Sequence, residues 1–275
     1  MTIQDLQETF IRLNDCWGPQ WPGLPRIMNN CLIRLGHRPA AVMGDRAQAI
    51  HDCMQDVAEL IEDDGQARAA LNQEPDYHNR LHVANTLEAL TTLLLLQRQY
   101  SDAERTIPSP MEWTAMLIML SHDLLHDGSV NKRPSQIEAR SVEYLEPLMQ
   151  QHQVEQADQH TINVIILSTD PIMVKASHAK IIKKPFFIED IDCLTVLIQE
   201  ADILASAMPE VGPLHTKKLA SEWAKINHPD SSTLITPSGR SEFLRNGALF
   251  SSPACLMLGI EAAKAAQLLA LGKYV

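Results

Sequence analysis

The sequence predicts an all-α protein, and three observations lead to this fold class. Apolar residues recur three and four positions apart through most of the 275 residues, as they do on one face of an α-helix. No segment alternates with the period of two that marks a strand, and no Asn-Gly turn joins two such segments. Short segments rich in Pro, Gly, Ser and Asn separate the periodic stretches. The expected architecture is a compact bundle of many helices.

The first three clear helices are expected between residues 82 and 152. Residues 82–100 read HVANTLEALTTLLLLQRQY, and their leucines keep the helical spacing. The segment TIPSP (106–110) predicts a break, after which residues 111–125 (MEWTAMLIMLSHDLL) resume the pattern. Residues 137–152 (IEARSVEYLEPLMQQH) repeat it with more charged positions. We therefore expect three successive helices here.

Three further helices are expected in the second half. They cover residues 156–169 (QADQHTINVIILST), 191–208 (IDCLTVLIQEADILASAM) and 253–272 (PACLMLGIEAAKAAQLLALG). The Pro/Ser-rich segment 227–240 separates the last two. Residues 1–45 contain WGPQWPGLP and little strong helical pattern, so we expect a loosely attached N-terminal extension before a single domain at 46–275.

Composition limits the function classes. The net charge of -11 disfavours binding to nucleic acid or to an anionic membrane, and the basic segment 180–187 (KIIKKPFF) is expected to be a solvated helix end. Five widely spaced cysteines without a CxxC motif indicate reduced thiols. The acidic N-terminus does not resemble a signal peptide, and the longest apolar run is too short to cross a bilayer. These features predict a cytoplasmic protein.

The segment YHNRLHVANTL (77–87) contains two histidines with unusual placement. On a helix, His78 and His82 would lie on one face, with their Cβ atoms about 6 Å apart. Both imidazoles could bind one metal, or one could bind while the other transfers protons. Two surface histidines would explain this spacing equally well if it stood alone.

The segment LSHDLLHDG (120–128) strengthens the case for a metal. His122 and Asp123 follow the apolar run AMLIML, so we expect them at or near the core, where unpartnered polar groups are unfavourable. A shared cation explains such a pair; an Asp–His hydrogen bond without metal is the alternative. His126, one turn on, is expected to face the same side as His122, and Gly128 lets the chain turn away.

A further carboxylate, Asp202, lies within the apolar helix at 191–208. Aspartate is disfavoured there by helix propensity and by burial, which makes it a candidate ligand; exposure on a polar stripe is the alternative. Glu200 lies two residues earlier, on a different face, and is expected to be solvated.

In the order His, His-Asp, Asp, these residues resemble the HD superfamily of metal-dependent phosphohydrolases. The segment YHNRLHVANTL is similar to the YHNxxHxxD-type signature of class I cyclic nucleotide phosphodiesterases, and HDLLHDGSVN is similar to their HDxxHxGxxN element. The resemblance covers roughly residues 70 to 265. The weaker similarities lie at Thr169–Asp170 and at Asp202. The residues that carry the two main motifs are Tyr77, Asn79, His82, His122, Asp123, His126, Gly128 and Asn131.

The resemblance implies an enzyme with two divalent metal ions. The tighter site (zinc, or manganese or iron) would take the four ligands His82, His122, Asp123 and Asp202. Asp123 would bridge to a second metal, magnesium or manganese, and a water between the metals would become the nucleophile. His78 would be the general acid. Residues placed around the metals by the resemblance are His126, Asn79 and Asn131, with either Glu138 or Glu143 orienting metal-bound water.

The resemblance also implies the reaction, which is hydrolysis of a phosphoester bond in a 3',5'-cyclic nucleotide. Met257 falls where the family has a glutamine that reads the purine, and methionine cannot make that amide contact. Met257 is therefore either a core residue or a residue of an altered pocket. Alternatives are another nucleotide or small phosphoester as substrate, a non-catalytic nucleotide-binding module, and an iron-dependent oxygenase. The oligomeric state stays open.

Overall fold

The computed structural model describes residues 2–37, 44–101 and 109–272, and within these ranges the chain forms α-helices and no β-strand. The prediction of an all-α multi-helix bundle is therefore confirmed. A π-helical turn, Phe243–Gly247, follows α12. The α-helices are α1 (Ile3–Cys16), α2 (Leu24–Arg34), α3 (Asp45–Ala70), α4 (Arg80–Ser101), α5 (Met111–Ser121), α6 (Gln136–Gln151), α7 (Gln156–Leu167), α8 (Pro171–Ile181), α9 (Ile191–Ala207), α10 (Gly212–Lys225), α11 (Ser231–Leu234), α12 (Pro237–Glu242), α13 (Pro253–Leu258) and α14 (Ile260–Leu271).

Helix α4 lies at the centre of the bundle and packs against α1, α2, α5, α9 and α13. It is buried on nearly every side, as expected of a helix whose leucines are not confined to one stripe. Helices α5 and α9 are also buried along most of their length. These three helices position the polar side chains of the candidate site, so the site is attached to a deeply buried part of the fold.

The N-terminal residues are helical and belong to the core. Thr2 forms a capping box with Asp5 at the start of α1, and Phe10 of that helix is completely buried. Leu24 and Met28 of α2 are equally buried. The expectation of a loosely attached segment with little helix is therefore wrong, because short amphipathic helices around a Pro/Gly-rich turn supply apolar faces to the bundle. The domain boundary at residue 45 stays a prediction.

Two other details differ from the sequence pattern. The helix expected over residues 253–272 divides at Gly259, whose φ of 82° ends α13 in a left-handed conformation. The predicted break at 106–110 lies partly outside the described residues. All five cysteines are unpaired. None of the helices in the described ranges has both the length and the apolar character needed to cross a bilayer.

Candidate metal centre

Four side chains from three helices meet at one end of α4, and we call them the histidine–aspartate cluster: His82, His122, Asp123 and Asp202. His82 lies in the first turn of α4, His122 caps the C-terminus of α5, Asp123 follows it, and Asp202 projects from α9. His82 Nε2 lies 3.3 Å from Asp123 Oδ2 and 3.2 Å from Asp202 Oδ1. His122 Nε2 lies 3.3 Å and 3.4 Å from the same two atoms. The structure thus brings together all four predicted ligands.

The two imidazole nitrogens are buried and make no hydrogen bond. The described residues offer no hydrogen-bond partner to His82 Nε2 or His122 Nε2, although carboxylate oxygens lie close by. Each nitrogen is therefore directed between the carboxylates and not at either of them. Ligand atoms about 2.1 Å from one metal lie roughly 3.0–3.4 Å apart, in octahedral or tetrahedral coordination. The four nitrogen–oxygen separations lie in this range. Ligand atoms of His82, His122 and Asp123 all lie within 4.8 Å of one another, and Asp202 adds a carboxylate oxygen next to both imidazole nitrogens.

A backbone contact fixes the tautomer of His122. Its Nδ1 lies 2.8 Å from the carbonyl oxygen of Met119, one turn earlier in α5. A carbonyl only accepts, so Nδ1 carries a proton, and in the neutral ring Nε2 is the nitrogen whose lone pair faces the cluster. Metal-binding histidines are commonly held in this way by a hydrogen bond on the other ring nitrogen.

The electrostatics of the cluster favour a cation. Burial lowers the pKa of His82, but Asp123 and Asp202 outweigh burial and raise it to about 9. The pKa of His122 is raised well above its ordinary value by the same two carboxylates, against burial. The histidines in turn hold the pKa values of Asp123 and Asp202 low, although both are desolvated. A site that would bind protons this strongly also attracts a divalent metal, which competes with those protons.

His78 lies in the loop before α4 and not on the helix, so the expected shared helical face with His82 is wrong. The helix begins at Arg80, because Asn79 acts as its cap: Asn79 Oδ1 accepts hydrogen bonds from the backbone N–H groups of Leu81 and His82. The rings of His78 and His82 are nevertheless neighbours, with centroids 5.7 Å apart.

Asn79 also holds the loop itself. Its amide nitrogen donates to the carbonyl oxygens of Pro75 and Asp76, at 2.9 Å and 3.0 Å. One side chain thus starts α4, places His82 in the first turn and closes the loop that carries His78. This agrees with the supporting position expected for Asn79 beside the metals.

Glu222 of α10 is a site residue that the sequence analysis missed. Its Oε1 lies 2.5 Å from His78 Nδ1, and its Oε2 accepts the backbone N–H groups of Tyr77 and His78. Burial raises the pKa of this carboxyl, but the bonds from His78 and the backbone outweigh it and lower the pKa to about 2. Glu222 is therefore a buried anion that fixes both the position and the Nδ1–H tautomer of His78.

His126 packs on the other side of His78. The chain leaves the helical conformation after Ser121, and Leu125 has a φ of 56°. His126 therefore does not share a helix face with His122, and the expectation that the two face the same side is wrong. Its ring stacks on His78 with centroids 4.0 Å apart. Burial, then the charge of His78, lowers the pKa of His126 to about 4. A neutral imidazole therefore covers His78.

Gly128 turns the chain as predicted, with a φ of 78°. It also leaves room for the buried anion, because a Cβ there would lie 3.2 Å from Glu222 Cγ. Ligand atoms of His78, His126 and Glu222 all lie within 4.8 Å of one another. The facing atoms of His78 and Glu222 already share a short hydrogen bond, so this trio is better described as a supported histidine than as a metal site.

Asn131 binds Glu138, one of the two glutamates that the resemblance offers as the residue orienting metal-bound water. Its Nδ2 donates to both carboxylate oxygens of Glu138, at 2.9 Å and 3.2 Å, and its Oδ1 accepts the N–H of Ile137. Glu138 is buried, and burial raises the pKa of its carboxyl. Glu143 is exposed on α6. Of the two, Glu138 is the interior carboxylate.

Three weaker predictions have distinct outcomes. Asp170 caps α8 and accepts the N–H of Ser135, so it organises a loop. Glu200 is completely buried, and the expectation that it is solvated is wrong because it accepts the N–H groups of Ser251 and Ser252 at the start of α13. Met257 is 47% exposed, so the interpretation of this side chain as a core residue is wrong. Its role in a pocket stays a prediction.

Comparison with known proteins adds no assignment. No family model matches the chain, and no curated protein matches it. The functional argument therefore depends on the motifs of the sequence and on the geometry described above.

Proposed function

We propose that the protein is a metal-dependent phosphodiesterase that hydrolyses a phosphoester bond, with 3',5'-cyclic nucleotides as its substrate class. The observation that carries the proposal is the histidine–aspartate cluster, whose two unpartnered imidazole nitrogens face two carboxylates, next to a histidine held by a buried glutamate. The order and spacing of these residues resemble those of HD-domain phosphodiesterases, which supports the same reading.

The histidine–aspartate cluster would hold the tighter metal ion, with Asp123 placed to share a second one. Two neutral imidazoles and two carboxylates suit zinc, manganese or iron. When bound, the metals would activate a water and neutralise negative charge on the phosphoryl oxygens. Glu138, fixed by Asn131, is the buried carboxylate available to accept hydrogen bonds from water near the cluster.

His78 would supply the proton that the leaving oxygen needs. Glu222 accepts the Nδ1 proton, so the Nε2 proton is the one that His78 can donate. The anionic carboxylate also stabilises the charged imidazolium from which the proton leaves. Stacking on His126 and the backbone contacts of Glu222 restrict the ring to one orientation. A binding module would need the cluster but would have no use for this supported proton donor.

Elemental analysis of the purified protein, followed by a hydrolysis screen, tests the proposal. We expect at least one transition metal per chain and turnover of cyclic mononucleotides with added Mg²⁺ or Mn²⁺. Asp123→Ala should lose both metal and turnover. Asp127→Ala is the matched control, because Asp127 is a nearby carboxylate paired with Arg140 outside the cluster, and it should keep both. A metal-replete protein that hydrolyses no phosphoester in a broad panel contradicts the proposal.

A further inference from the structure

A surface cavity of about 430 Å³ lies apart from the histidine–aspartate cluster, between the end of α1 and the C-terminal half of α3. Cavities of this volume are within the range that holds small ligands. We call it the tryptophan pocket. Its lining includes Trp17, Trp21, Gln66, Ala69, Glu74 and Arg80.

Two indole rings form a corner of the tryptophan pocket. The rings of Trp17 and Trp21 are nearly perpendicular, at 82°, with centroids 4.8 Å apart. The indole nitrogen of Trp21 donates to Glu62 at 2.9 Å, which fixes that ring against α3. Perpendicular aromatic walls with an adjacent carboxylate are the arrangement that proteins use to bind ammonium groups.

The guanidinium of Arg80 covers part of the Trp17 ring and leaves Trp21 and the remaining surface of Trp17 to line the cavity. Its guanidinium carbon lies 5.1 Å from the ring centroid of Trp17. The same guanidinium is fully engaged by carboxylates, since Nε and Nη2 donate to Glu74 and Nη1 donates to Glu62. It is also held flat on Gly65, where a Cβ would lie 2.5 Å from its side chain.

The charge balance of this wall favours a second cation over an anion. Two carboxylates, Glu62 and Glu74, face one guanidinium, so the group retains one negative charge. Arg80 is only 8% exposed and already paired, so it is poorly placed to bind an anionic ligand. Gln66 adds an amide at the cavity wall, and it donates to Glu62.

We infer that the tryptophan pocket binds a small organic cation of the quaternary or methylated ammonium type. The ligand contacts the indole rings through its methyl groups and is attracted by the net negative charge of the group formed by Glu62, Glu74 and Arg80. None of the residues that line this pocket belongs to the histidine–aspartate cluster, and its ligand does not need to be a substrate.

Isothermal titration calorimetry with choline tests the inference on the full-length protein. The control ligand is 3,3-dimethylbutan-1-ol, which has the same shape without the charge. We expect saturable binding of choline and about tenfold weaker binding of the neutral alcohol. Equal affinity for the two compounds, or no saturable heat with choline at millimolar concentrations, overturns the inference.

Variants locate the site. Trp17→Leu and Glu74→Gln should each weaken choline binding about fivefold or more, while Trp223→Phe, which alters a tryptophan on α10 outside the pocket, should leave it unchanged. Circular dichroism shows whether each variant is folded. If Trp17→Leu does not fold, the choline affinity of Glu74→Gln tests the site. Unchanged binding in folded Glu74→Gln contradicts the proposed electrostatic contribution and overturns the site.

Discussion

His78 and His82 differ in their surroundings although they are four residues apart. His82 is buried among carboxylates, with its Nε2 atom unpartnered, whereas His78 donates to Glu222 and stacks on His126. The first environment suits a fixed metal ligand, because the carboxylates that attract a proton to His82 also attract a cation that displaces it. The second suits a group that must take up and release a proton. Helix α4 begins between them, and this change of backbone separates the two environments.

Glu222→Gln tests the role of the buried carboxylate at the residue scale. The glutamine can still accept the backbone N–H groups of the loop, but it does not stabilise a charged imidazolium at His78. We expect turnover to fall at least tenfold while metal content is unchanged. The measurements are kcat and metal content, and a loss of turnover accompanied by loss of metal would show that Glu222 only maintains the fold.

The predictable part of the site is the part with a local signal. His122 and Asp123 stand out because they follow an apolar run, and Asp202 stands out because it interrupts one. Glu222 has no such signal: it lies in an amphipathic helix, where a glutamate is ordinary, and it reaches His78 only through the tertiary fold. Glu200 was misread for the same reason, since its partners are backbone groups 51 and 52 residues away.

At the element scale, Asn79 connects a helix terminus to the site. Asn79→Ala should lower the free energy of unfolding by about 1 kcal/mol, which is the usual contribution of a helix cap. It should also reduce turnover, because the loop with His78 loses the bonds to Pro75 and Asp76. Urea denaturation and initial rates check the two effects.

Asn79→Ser is the matched control for that variant. Serine can still accept from the first turn of α4, so stability should largely be retained. It cannot reproduce both amide bonds to the loop, so turnover should still fall. Equal stability for the alanine and serine variants would contradict the capping role of Asn79.

Helix α1 provides a second test at this scale. Phe10 is completely buried, and Phe10→Ala should destabilise the protein by about 3–5 kcal/mol through lost burial and the cavity that remains. Ile33→Ala, at a position 69% exposed on α2, is the control and should change stability little. A small effect of Phe10→Ala on the urea midpoint would restore the interpretation of a loosely attached N-terminal segment.

At the scale of the whole molecule, buried histidines should make stability depend on pH. Burial, as the first cause, lowers the pKa of His178 to about 4 and of His215 to about 3, so both are neutral in the folded protein. Below pH 6.5 the unfolded chain binds protons that the folded chain does not. The free energy of unfolding should therefore fall as the pH decreases from 6.5 to 5, by up to about 1.4 kcal/mol per unit for each histidine.

Urea midpoints at pH 7, 6 and 5 measure this slope. His178→Gln removes one of three such groups, the third being His126, whose pKa burial also lowers to about 4, and should make the slope shallower whatever its effect on stability at pH 7. A slope that is unchanged in this variant would show that His178 does not contribute.

The architecture of the whole molecule was the most predictable feature, because helical periodicity is local and extends over long segments. Helices α4, α5, α6, α7 and α9 lie where the sequence pattern predicts them, whereas α8 lies in a segment for which no helix was predicted. The N-terminal helices were less evident, since their burial depends on α4, and the division at Gly259 depends on a single left-handed residue. Short helices at the edge of the core are thus harder to recognise from the sequence than the long apolar helices at its centre.

The most direct test of the central claim is the rate of phosphodiester hydrolysis by metal-replete wild-type protein and by His78→Asn at equal metal content. The metal ligands lie outside the substituted side chain, so both proteins should bind metal alike. We expect the wild type to hydrolyse a cyclic nucleotide and the variant to be at least about 100-fold slower, because a general acid has been removed. Equal rates in the two proteins, or loss of metal from the variant, would contradict the central claim.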